Sequence, residues 1–519
     1  MATNWTCPTC MVSNQSHDEF CLCCGTATNS SYTQEPTNDH DEVVQSPPKK
    51  QKVTSYLDNP GRVRMSFNVS DLKTTTVFIV GSSEIDQIPS SCCDTTKEGD
   101  GSEFSSLYEC ALPTPILSIP RVKIVSVSCG ALHTALLTAN GDVYTFGCND
   151  MGALGRKVSK DETPEIPDSE PMKVNISQPI KKVTCGDNHT LFLTYNGTVL
   201  IVGSFKDSDG PIGIPDYDNY ETLTKLEYID NPTIVPCEVE GAYTISDICS
   251  GENHCVLLPQ GGKGVYTFGS NEFSQLMIWG DQIQTYTDNS PDLSDDKTKR
   301  LALTWPQFRT LTDLEIVTEG DSDTGRRKRP RTSDESVDKI FTGYCTTFIQ
   351  TKNLVKLYGV GRNAQGEVGC GSDEMIVKIP KEITLFEGHE ITQLSGGQFF
   401  TMALVEDAVY TWGNNDYIGH DIDTKEGKQT TPLKLQGFDE IPIEHIFNGA
   451  DSCFAITYNA DLYAWGSGQN YILGNGKDYI FQKTPDLVPA SHFPSSKPFG
   501  GKGGSQHTVF LCSKRRVQK

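Results

Sequence analysis

Apolar and polar positions alternate in one pattern that recurs seven times along the 519-residue chain. Each copy has an apolar run, a glycine, a short polar corner, a second apolar run, a turn and a third run that ends in glycine. The first of these glycines recurs at steps of 56, 65, 92, 54, 52 and 55 residues, as Gly130, Gly186, Gly251, Gly343, Gly397, Gly449 and Gly504. A period near fifty residues with several short strands per copy predicts sheets stacked around an axis.

The turns and the chain ends refine this prediction. Asn140-Gly141 and Asn196-Gly197 lie between apolar runs and predict two-residue hairpin turns. The seventh copy ends after one hairpin, and the run Thr76–Gly81, ahead of the first copy, offers the strand that it lacks. Sharing the last blade between both chain ends removes an exposed edge strand. We therefore predict an all-β fold, a seven-bladed β-propeller closed by N- and C-terminal strands over residues 65–515.

Composition excludes several classes of function. The formal net charge of −23 argues against a protein that coats nucleic acids. Because no run of eighteen apolar residues occurs, we expect no membrane span. The eighteen cysteines follow a start without the charged and apolar regions of a secretory signal, which predicts reduced thiols or metal ligands rather than disulfides.

Four cysteines near the start have the spacing of a zinc site. Two CxxC pairs lie ten residues apart, and four thiolates so spaced can surround one zinc ion tetrahedrally. The spacing selects Cys24 over Cys23, so the predicted ligands are Cys7, Cys10, Cys21 and Cys24. A polar segment of this size needs a metal to fold, and we predict a structural zinc finger over residues 1–30.

The residues around these cysteines complete the pattern W-x-C-x2-C-x3-N-x6-C-x2-C, which resembles the Ran-binding-protein-type zinc finger. Members of that family bind the GDP form of the GTPase Ran, ubiquitin or single-stranded RNA. Met11-Val12 is similar to the Leu-Val pair of the Ran-binding members, whereas ubiquitin binders carry Thr-Phe. Residues 1–30 contain no Arg or Lys, which disfavours RNA. The resemblance implies that Met11 and Val12 bind Ran, with ubiquitin as the second alternative.

The remaining boundaries follow from composition. Residues 31–64 are polar and lack periodicity, which predicts a disordered linker, and we expect a long flexible insertion over 282–336 and a tail over 516–519. The linker and the insertion each contain a short basic tract. These tracts predict nuclear import signals for an import receptor, with solvated loops as the alternative, through Lys49, Lys50, Lys52, Arg326, Arg327, Lys328, Arg329 and Arg331.

The repeats themselves resemble the regulator of chromosome condensation family, whose founding member is the nucleotide exchange factor for Ran. The most specific portions are Thr145–Arg156 and the second copy from Cys185 to Ile214. In that copy the step from Gly203 to Gly213 is ten residues, where most copies have eight. The resemblance implies that the longer loop is the wedge which exchange factors push into the GTPase beside the phosphates. An idle loop insertion is the alternative.

The resemblance also implies a Ran-binding face on the propeller. Its residues would come from the wedge and from the corners of the repeats, as Asp187, Phe205, Lys206, Asp207, Asp209, Asn253, Phe399 and Glu84. Three of them depart from the family pattern, which has Asp in place of Asn253 and Glu84 and His in place of Phe399. Asp187 matches an acidic residue that is important for exchange in the family.

Four histidines occupy one register of the repeat, as His133, His189, His254 and His507. A shared register spreads them around the ring, so that they cannot converge on one metal ion. We interpret them as hydrogen-bonding residues at the blade corners. No nucleophile–base pair or phosphate loop stands out elsewhere, and we expect no covalent catalysis.

These features predict a guanine nucleotide exchange factor that releases GDP from Ran and produces nuclear Ran-GTP for nucleocytoplasmic transport and mitosis. The expected cofactor is structural zinc, and the expected partners are Ran, an import receptor and chromatin or histones. The alternative is a nuclear protein-interaction propeller without exchange activity, whose finger binds ubiquitin or another protein.

Overall fold

The computed structural model describes residues 5–6, 13–14, 75–83, 86–93, 108–157, 167–219, 223–237, 244–278, 283, 293, 295–314, 335–422, 426–478 and 481–514. In this part of the chain almost all regular structure is β-strand. The zinc-finger residues Cys7, Cys10, Met11, Val12, Cys21 and Cys24, and every residue of the two basic tracts, lie outside the described residues. Only the short antiparallel pair β1 (Trp5–Thr6) and β2 (Ser13–Asn14) is described from the finger.

The strands of the N-terminal half follow one another along the chain with few interruptions. They are β3 Thr76–Ser83, β4 Tyr108–Pro115, β5 Ile124–Cys129, β6 His133–Thr138, β7 Val143–Gly147, β8 Met172–Lys173, β9 Ile180–Cys185, β10 His189–Thr194, β11 Val199–Gly203, β12 Phe205–Asp207, β13 Gly210–Pro215, β14 Lys225–Leu226, β15 Ile229–Ile234, β16 Ile245–Ser250, β17 His254–Pro259 and β18 Gly264–Gly269.

The C-terminal half begins with helix α1 (Asp296–Ala302). The strands that follow are β19 Gln307–Thr310, β20 Val337–Thr342, β21 Thr346–Thr351, β22 Leu357–Arg362, β23 Ile376–Glu382, β24 Ile391–Gly396, β25 Phe400–Val405, β26 Ala408–Asn414, β27 Lys428–Lys434, β28 Ile443–Asn448, β29 Ser452–Thr457, β30 Leu462–Ser467, β31 Phe481–Leu487, β32 Ser496–Gly503 and β33 His507–Lys514.

Each repeat copy forms one antiparallel sheet, and the described residues contain seven sheets of four strands. They are sheet 1 (β5–β8), sheet 2 (β9, β10, β11, β15), sheet 3 (β16–β19), sheet 4 (β20–β23), sheet 5 (β24–β27), sheet 6 (β28–β31) and sheet 7 (β32, β33, β3, β4). The first strands β5, β9, β16, β20, β24, β28 and β32 contact one another in this order, and β32 contacts β5. The sheets therefore surround a common axis, and the fold is an all-β propeller.

The two ends of the chain close this ring. In sheet 7, β3 pairs antiparallel with β33, with Thr76 opposite Cys512 and Gly81 opposite His507. The predicted closure by N- and C-terminal strands is therefore confirmed. The sequence pattern missed β4, which pairs with β3 and completes the sheet.

The hairpin turns lie where Asn-Gly predicted them, but they are one residue longer. Thr138 N–H donates to Asp142 O at 2.8 Å, which leaves three residues in the loop, and Gly141 N–H donates to Thr138 O at 3.0 Å. Gly141 has φ +82°, and Gly197 has φ +86° in the equivalent turn. Three-residue hairpins place a left-handed residue last in the loop, which favours glycine there. The prediction of two-residue turns was wrong by this one position.

The hydrophobic core lies between neighbouring sheets. One cluster joins Leu191 and Ile201 of sheet 2 to Leu257 and Tyr266 of sheet 3, and all four side chains are fully buried. A single sheet cannot bury both of its faces alone, so stability depends on the complete stack.

The recurring histidines connect these sheets by hydrogen bonds. The pairs are His507 with Thr134 (2.8 Å), His133 with Thr190 (2.9 Å), His189 with Cys255 (3.1 Å) and His254 with Thr347 (3.0 Å), each from Nε2 to the hydroxyl or thiol of the next sheet. The interpretation of these histidines as hydrogen-bonding corner residues is confirmed, and the bonds run between sheets.

The insertion between β18 and β20 contains regular structure. Helix α1 lies within it, and β19 pairs with β18 as the outer strand of sheet 3. The prediction of a flexible insertion over 282–336 was therefore wrong for residues 295–314. Trp305, Leu311 and Leu314 are buried there, so apolar contacts with the propeller hold this segment. Within the described residues, no helix has the length and apolar character needed to cross a bilayer.

Candidate functional site

The corners between the first and second strands of the sheets meet at one end of the ring. Asp187 N–H donates to Glu252 O, and Glu252 N–H donates to Tyr344 O, both at 2.7 Å. The corner is tight because a Cβ on Gly186 would lie 2.1 Å from the His189 ring and 2.5 Å from Gly251 O. These contacts bring side chains from sheets 2, 3 and 4 together, although their residues are far apart in sequence.

Two carboxylates lie side by side in this corner. The Asp187 side chain is 10% exposed, and its Oδ2 accepts a hydrogen bond from Tyr344 Oη at 3.1 Å. Burial, and then the neighbouring Glu252, raise the pKa of Asp187 to about 7, while Lys206 opposes this shift. Burial also raises the pKa of Glu252, whose Oε2 accepts from Cys345 Sγ at 3.1 Å. The site is therefore an acidic corner in which one carboxyl group changes its charge near neutral pH.

The ten-residue step of the second copy forms a β-hairpin that lies outside sheet 2. Strands β12 and β13 pair with Asp207 opposite Gly210, and β14 adds a third strand beside β13. The turn forms because Asp207 Oδ1 accepts the Asp209 N–H at 3.0 Å and because Gly210 has φ +108°, which favours glycine. We call residues 205–215 the wedge hairpin.

The wedge hairpin stands at the same end of the ring as the acidic corner. It follows the third strand of sheet 2, which ends at the same end of the sheet as the corner between its first and second strands. Lys206, which is half exposed, lies with its Nζ 3.8 Å from Asp187 Oδ2. Ser208 and Asp209 form the exposed tip. The hairpin therefore presents a cation at its base and a carboxylate at its tip, next to the acidic corner.

Phe205 is placed differently from the expectation. Its side chain is 1% exposed and packs against His189, with ring centroids 4.8 Å apart, and against Phe268 at 5.9 Å. The expectation that Phe205 contacts a partner is therefore wrong for this conformation. Burial makes this ring the anchor of the wedge hairpin in the core between sheets 2 and 3.

Asp207 is also occupied inside the protein. Its side chain is 10% exposed and forms a bidentate ion pair with Arg300 of α1, in which Arg300 Nε lies 2.6 Å from Oδ2. The expectation of a partner contact through Asp207 is wrong for the same conformation. Both of its oxygens accept hydrogen bonds from within the chain, so the carboxylate shapes the hairpin instead.

The two corner residues that depart from the family pattern are not equivalent. Asn253 is 5% exposed, and its Oδ1 accepts the Lys206 N–H at 3.2 Å, so it supports the base of the wedge hairpin rather than lying on the surface. Phe399 is half-buried, and its ring centroid lies 5.3 Å from Arg362 Cζ. A second ring, that of Tyr417, lies 5.7 Å from it, and the Phe399 side chain remains partly exposed. Glu84, the remaining predicted residue, lies outside the described residues.

Sequence reasoning missed Glu252, Tyr344 and Arg300. Glu252 and Tyr344 follow repeat glycines, as Asp187 does, so comparing that one position in all copies would have grouped them. A helix around Arg300 was also readable, because Asp295 precedes a cationic run and accepts the Thr298 N–H as an N-cap. The contact between Arg300 and Asp207, however, cannot be read from any local sequence pattern.

The ring axis offers no room for a nucleotide. A cavity of about 70 Å³ lies on the axis, lined by repeat glycines with Asp187, Glu252, Tyr344 and Lys502. Pockets for small-molecule ligands are typically ~300–1,000 Å³. Within the described residues, no three His, Cys, Asp or Glu side chains are grouped as metal ligands. A larger cavity of about 240 Å³ lies beside the wedge hairpin and is lined by residues that include Asp209, Glu272 and Arg300.

These observations define a β-propeller with a hairpin wedge beside an acidic corner on one face. A family model described as the RCC1-like domain matches residues 76–510, so the chain belongs to the family of RCC1-like propellers. Regulator of chromosome condensation from Xenopus laevis is 29% identical over 407 residues, which cover 77% of this chain and 84% of that protein.

Solved structures share the fold. Prp20p from Saccharomyces cerevisiae, whose structure was described with its binding properties to Gsp1p and histones, superimposes with a TM-score of 0.67 at 20% identity, covering 86% of this chain and 93% of that one. Yeast RCC1 (Prp20) bound to Kap60 gives the same TM-score and identity and covers 92% of this chain and 98% of that one.

Proposed function

We propose that this chain is a guanine nucleotide exchange factor for the GTPase Ran, built on a seven-bladed propeller in which each four-stranded sheet is one blade. The observation that carries the proposal is the wedge hairpin beside the Asp187–Glu252 corner. Membership of the RCC1-like family and similarity to regulators of chromosome condensation support it.

Exchange of this kind requires differential binding and no covalent step. A protein that binds the nucleotide-free GTPase more tightly than the loaded form lowers nucleotide affinity by the same factor. The exposed Asp209 carboxylate at the tip has the charge needed to compete with phosphates for backbone N–H groups in a phosphate-binding loop. The wedge hairpin would occupy space that the phosphates need, and GDP would leave.

The acidic corner would hold the GTPase in register during this step. The charge of Lys206 acts on both Asp187 and Glu252, and a basic side chain of a partner at this corner would interact with the same two carboxylates. Partial burial strengthens such a contact because solvent screens it less. The acidic corner would therefore orient the GTPase, while the tip of the wedge hairpin would displace the phosphates of the nucleotide.

The N-terminal zinc finger would increase the local concentration of Ran-GDP. Zinc held by Cys7, Cys10, Cys21 and Cys24 would fold the finger, and Met11 and Val12 would bind Ran-GDP. Attachment of the finger to the propeller through residues 31–64 would then raise the effective concentration of Ran-GDP at the propeller.

The cellular setting is part of the same proposal. The two basic tracts would bind an import receptor and bring the chain into the nucleus, where histones are further partners. Similarity to Prp20p, described with binding to Gsp1p and histones and seen bound to Kap60, supports these partner classes. Ran-GTP made there would serve nucleocytoplasmic transport and mitosis.

The test is release of a fluorescent GDP analogue from Ran, with the full-length chain as catalyst. Asp209→Lys reverses the charge at the wedge tip, and we expect at least about tenfold slower release, equivalent to ~1.4 kcal/mol in the barrier. Asp461→Lys is the matched control, because Asp461 is also exposed but lies in a turn at the opposite end of the ring.

Wild-type protein that fails to accelerate release would overturn the proposal. It would favour the alternative of a nuclear interaction propeller, which a comparison of ubiquitin and Ran binding to the full-length chain would then test. Equal losses in Asp209→Lys and Asp461→Lys would show that the wedge tip has no special role.

A further inference from the structure

The insertion helix α1 packs directly against the wedge hairpin. It begins at Asp296 after the N-cap Asp295, and Leu301 and Ala302 on one side are buried. The helix contacts β13, the second strand of the wedge hairpin. A segment 90 residues later in the chain than Gly210 therefore supports the hairpin, as the bond from Arg300 Nη2 to Gly210 O at 3.2 Å shows.

Arg300 holds the tip of the hairpin through three bonds. Its Nε donates to Asp207 Oδ2 at 2.6 Å, its Nη2 donates to Asp207 Oδ1, and the same nitrogen reaches Gly210 O. These acceptors are the two residues that flank the turn at Ser208 and Asp209. Bidentate arginine–carboxylate pairs are geometrically specific as well as strong, and this pair is mostly shielded from solvent.

Two further contacts support the hairpin from its sides. Tyr217, just beyond β13, donates from its hydroxyl to Thr304 O at 2.6 Å, and its ring lies 5.3 Å from that of the buried Trp305. On the other side, Ser208 N–H donates to Oε2 of Glu272, in the loop after β18, at 3.1 Å. The hairpin is therefore held between the insertion and the loop after β18.

A small hairpin needs such support to keep one shape. Two or three short strands without a covering layer are marginally stable in water, so the tip would sample many orientations on its own. A displacement step depends on the position of the displacing group, and misplacement by about 1 Å can cost ~100-fold in rate. The ion pair between Arg300 and Asp207 removes this freedom before any partner binds.

We propose that Arg300 is a positioning residue that presets the wedge hairpin, so that the insertion sets the efficiency of exchange after the GTPase has bound. This inference rests on the proposed exchange function for its consequence, but the presetting itself is a property of the free protein. Arg300 does not touch the GTPase in this scheme and acts through Asp207.

The first measurement is amide hydrogen exchange of the free full-length protein. Arg300→Ala should increase exchange at the Ser208 and Asp209 amides by about tenfold or more, since each decade corresponds to ~1.4 kcal/mol of local opening. The amides of β10 should not change. Lys297→Ala is the matched control, because Lys297 lies on the exposed side of the same helix. Arg300→Lys should give amide exchange rates between those of the wild type and Arg300→Ala, because lysine keeps the positive charge but lacks the planar, bidentate guanidinium group.

The second measurement is the rate of GDP release from Ran at increasing Ran concentration. Arg300→Ala should lower kcat about tenfold and change KM less than twofold, because the loss concerns positioning after binding. Asp207→Asn should lower kcat in the same way, since it retains the acceptor for Asp209 N–H but loses the charged pair. The double variant should be no slower than the slower single variant. If Arg300 had a purely structural role, its loss would lower the melting temperature and raise KM, and the effects of the two substitutions on kcat would add in the double variant.

The outcomes separate the two proposals. Unchanged amide exchange at Ser208 and Asp209 in Arg300→Ala overturns the presetting role, whatever the GTPase assay gives. Faster amide hydrogen exchange with an unaltered kcat for GDP release would show that Arg300 holds the hairpin but does not affect nucleotide exchange. A wild-type protein that releases no GDP from Ran overturns the proposed function, whereas the amide exchange still decides whether Arg300 holds the hairpin.

Discussion

His133 Nε2 lies 2.9 Å from Thr190 Oγ1, and this bond joins the second strand of sheet 1 to the second strand of sheet 2. The Thr190 hydroxyl donates to Ala153 O at 2.8 Å, so His133 Nε2 is the donor in the shared bond. Burial lowers the pKa of His133 to about 4, which keeps the ring neutral at physiological pH. The histidines in the same register of sheets 2, 3 and 7 share this burial and this direction of shift.

The pH dependence of stability follows from these histidines. An unfolded histidine binds a proton near pH 6.5, whereas folded His133 binds one only near pH 4. Between these values the unfolded chain holds more protons, so the free energy of unfolding falls as the pH falls. His133→Phe should remove part of this fall, because the variant lacks one of the titrating rings. Phenylalanine should fit the position, since sheet 5 has a buried phenylalanine, Phe400, in the same register.

The measurement is urea unfolding at pH 7.5 and pH 5. At pH 7.5, His133→Phe should lose about 1 kcal/mol through the missing hydrogen bond. The difference between the two pH values should be smaller than in the wild type. His389→Gln, at an exposed histidine, should leave that difference unchanged. Parallel pH dependence in wild type and His133→Phe would contradict the interpretation.

Phe205→Ala should destabilise the protein rather than only reduce partner binding. The ring is 1% exposed between sheets 2 and 3, and emptying such a site typically costs ~3–5 kcal/mol. The free energy of unfolding from urea titration is the measurement. Asp209→Ala at the exposed tip of the same hairpin should change it by less than about 0.5 kcal/mol. A Phe205→Ala variant as stable as the wild type would mean that the ring lies on the surface.

Asp187→Asn should raise stability at high pH. Burial and Glu252 hold the pKa of Asp187 at about 7, above that of an unfolded aspartate, so folding favours its protonated form. The native state therefore holds the extra proton between about pH 4 and pH 7, and the contribution of Asp187 becomes more unfavourable as the pH rises through this window. The variant should melt higher than the wild type at pH 8 and similarly at pH 4.5.

Thermal melts at the two pH values test this expectation. Asp461→Asn, at an exposed aspartate, is the control and should shift neither melting temperature. A lower melting temperature of Asp187→Asn at pH 8 would show that the ion pair with Lys206 outweighs burial.

The neighbouring cysteines at positions 23 and 24 test the predicted zinc site. The spacing of the two CxxC pairs predicts that Cys24 is a ligand and that Cys23 is not. Elemental analysis of the full-length chain should give one zinc ion per molecule, and chelation should remove it. Cys24→Ser should lower the zinc content to well below half, whereas Cys23→Ser should retain it. Equal retention in both variants would refute the assignment.

The sheets were predictable because their signals are local. A strand, a hairpin turn and a repeat glycine are each specified within about ten residues, and seven copies reinforce one register. The same periodicity assigned the four histidines correctly, since residues at one position of the repeat have equivalent surroundings in each sheet. Closure by β3 and β33 was predictable because an incomplete last copy needs a partner strand.

The contents of the wedge hairpin were decided by tertiary structure. Its existence follows from the ten-residue step, but the burial of Phe205 depends on Phe268 of the next sheet, and the occupation of Asp207 depends on Arg300, 93 residues away. No local pattern records such contacts, because a side chain's partner is set by how the sheets stack. The sequence by itself determined the repeating propeller and the place of its wedge. Only packing around the ring decided which wedge residues face solvent and which are held inside.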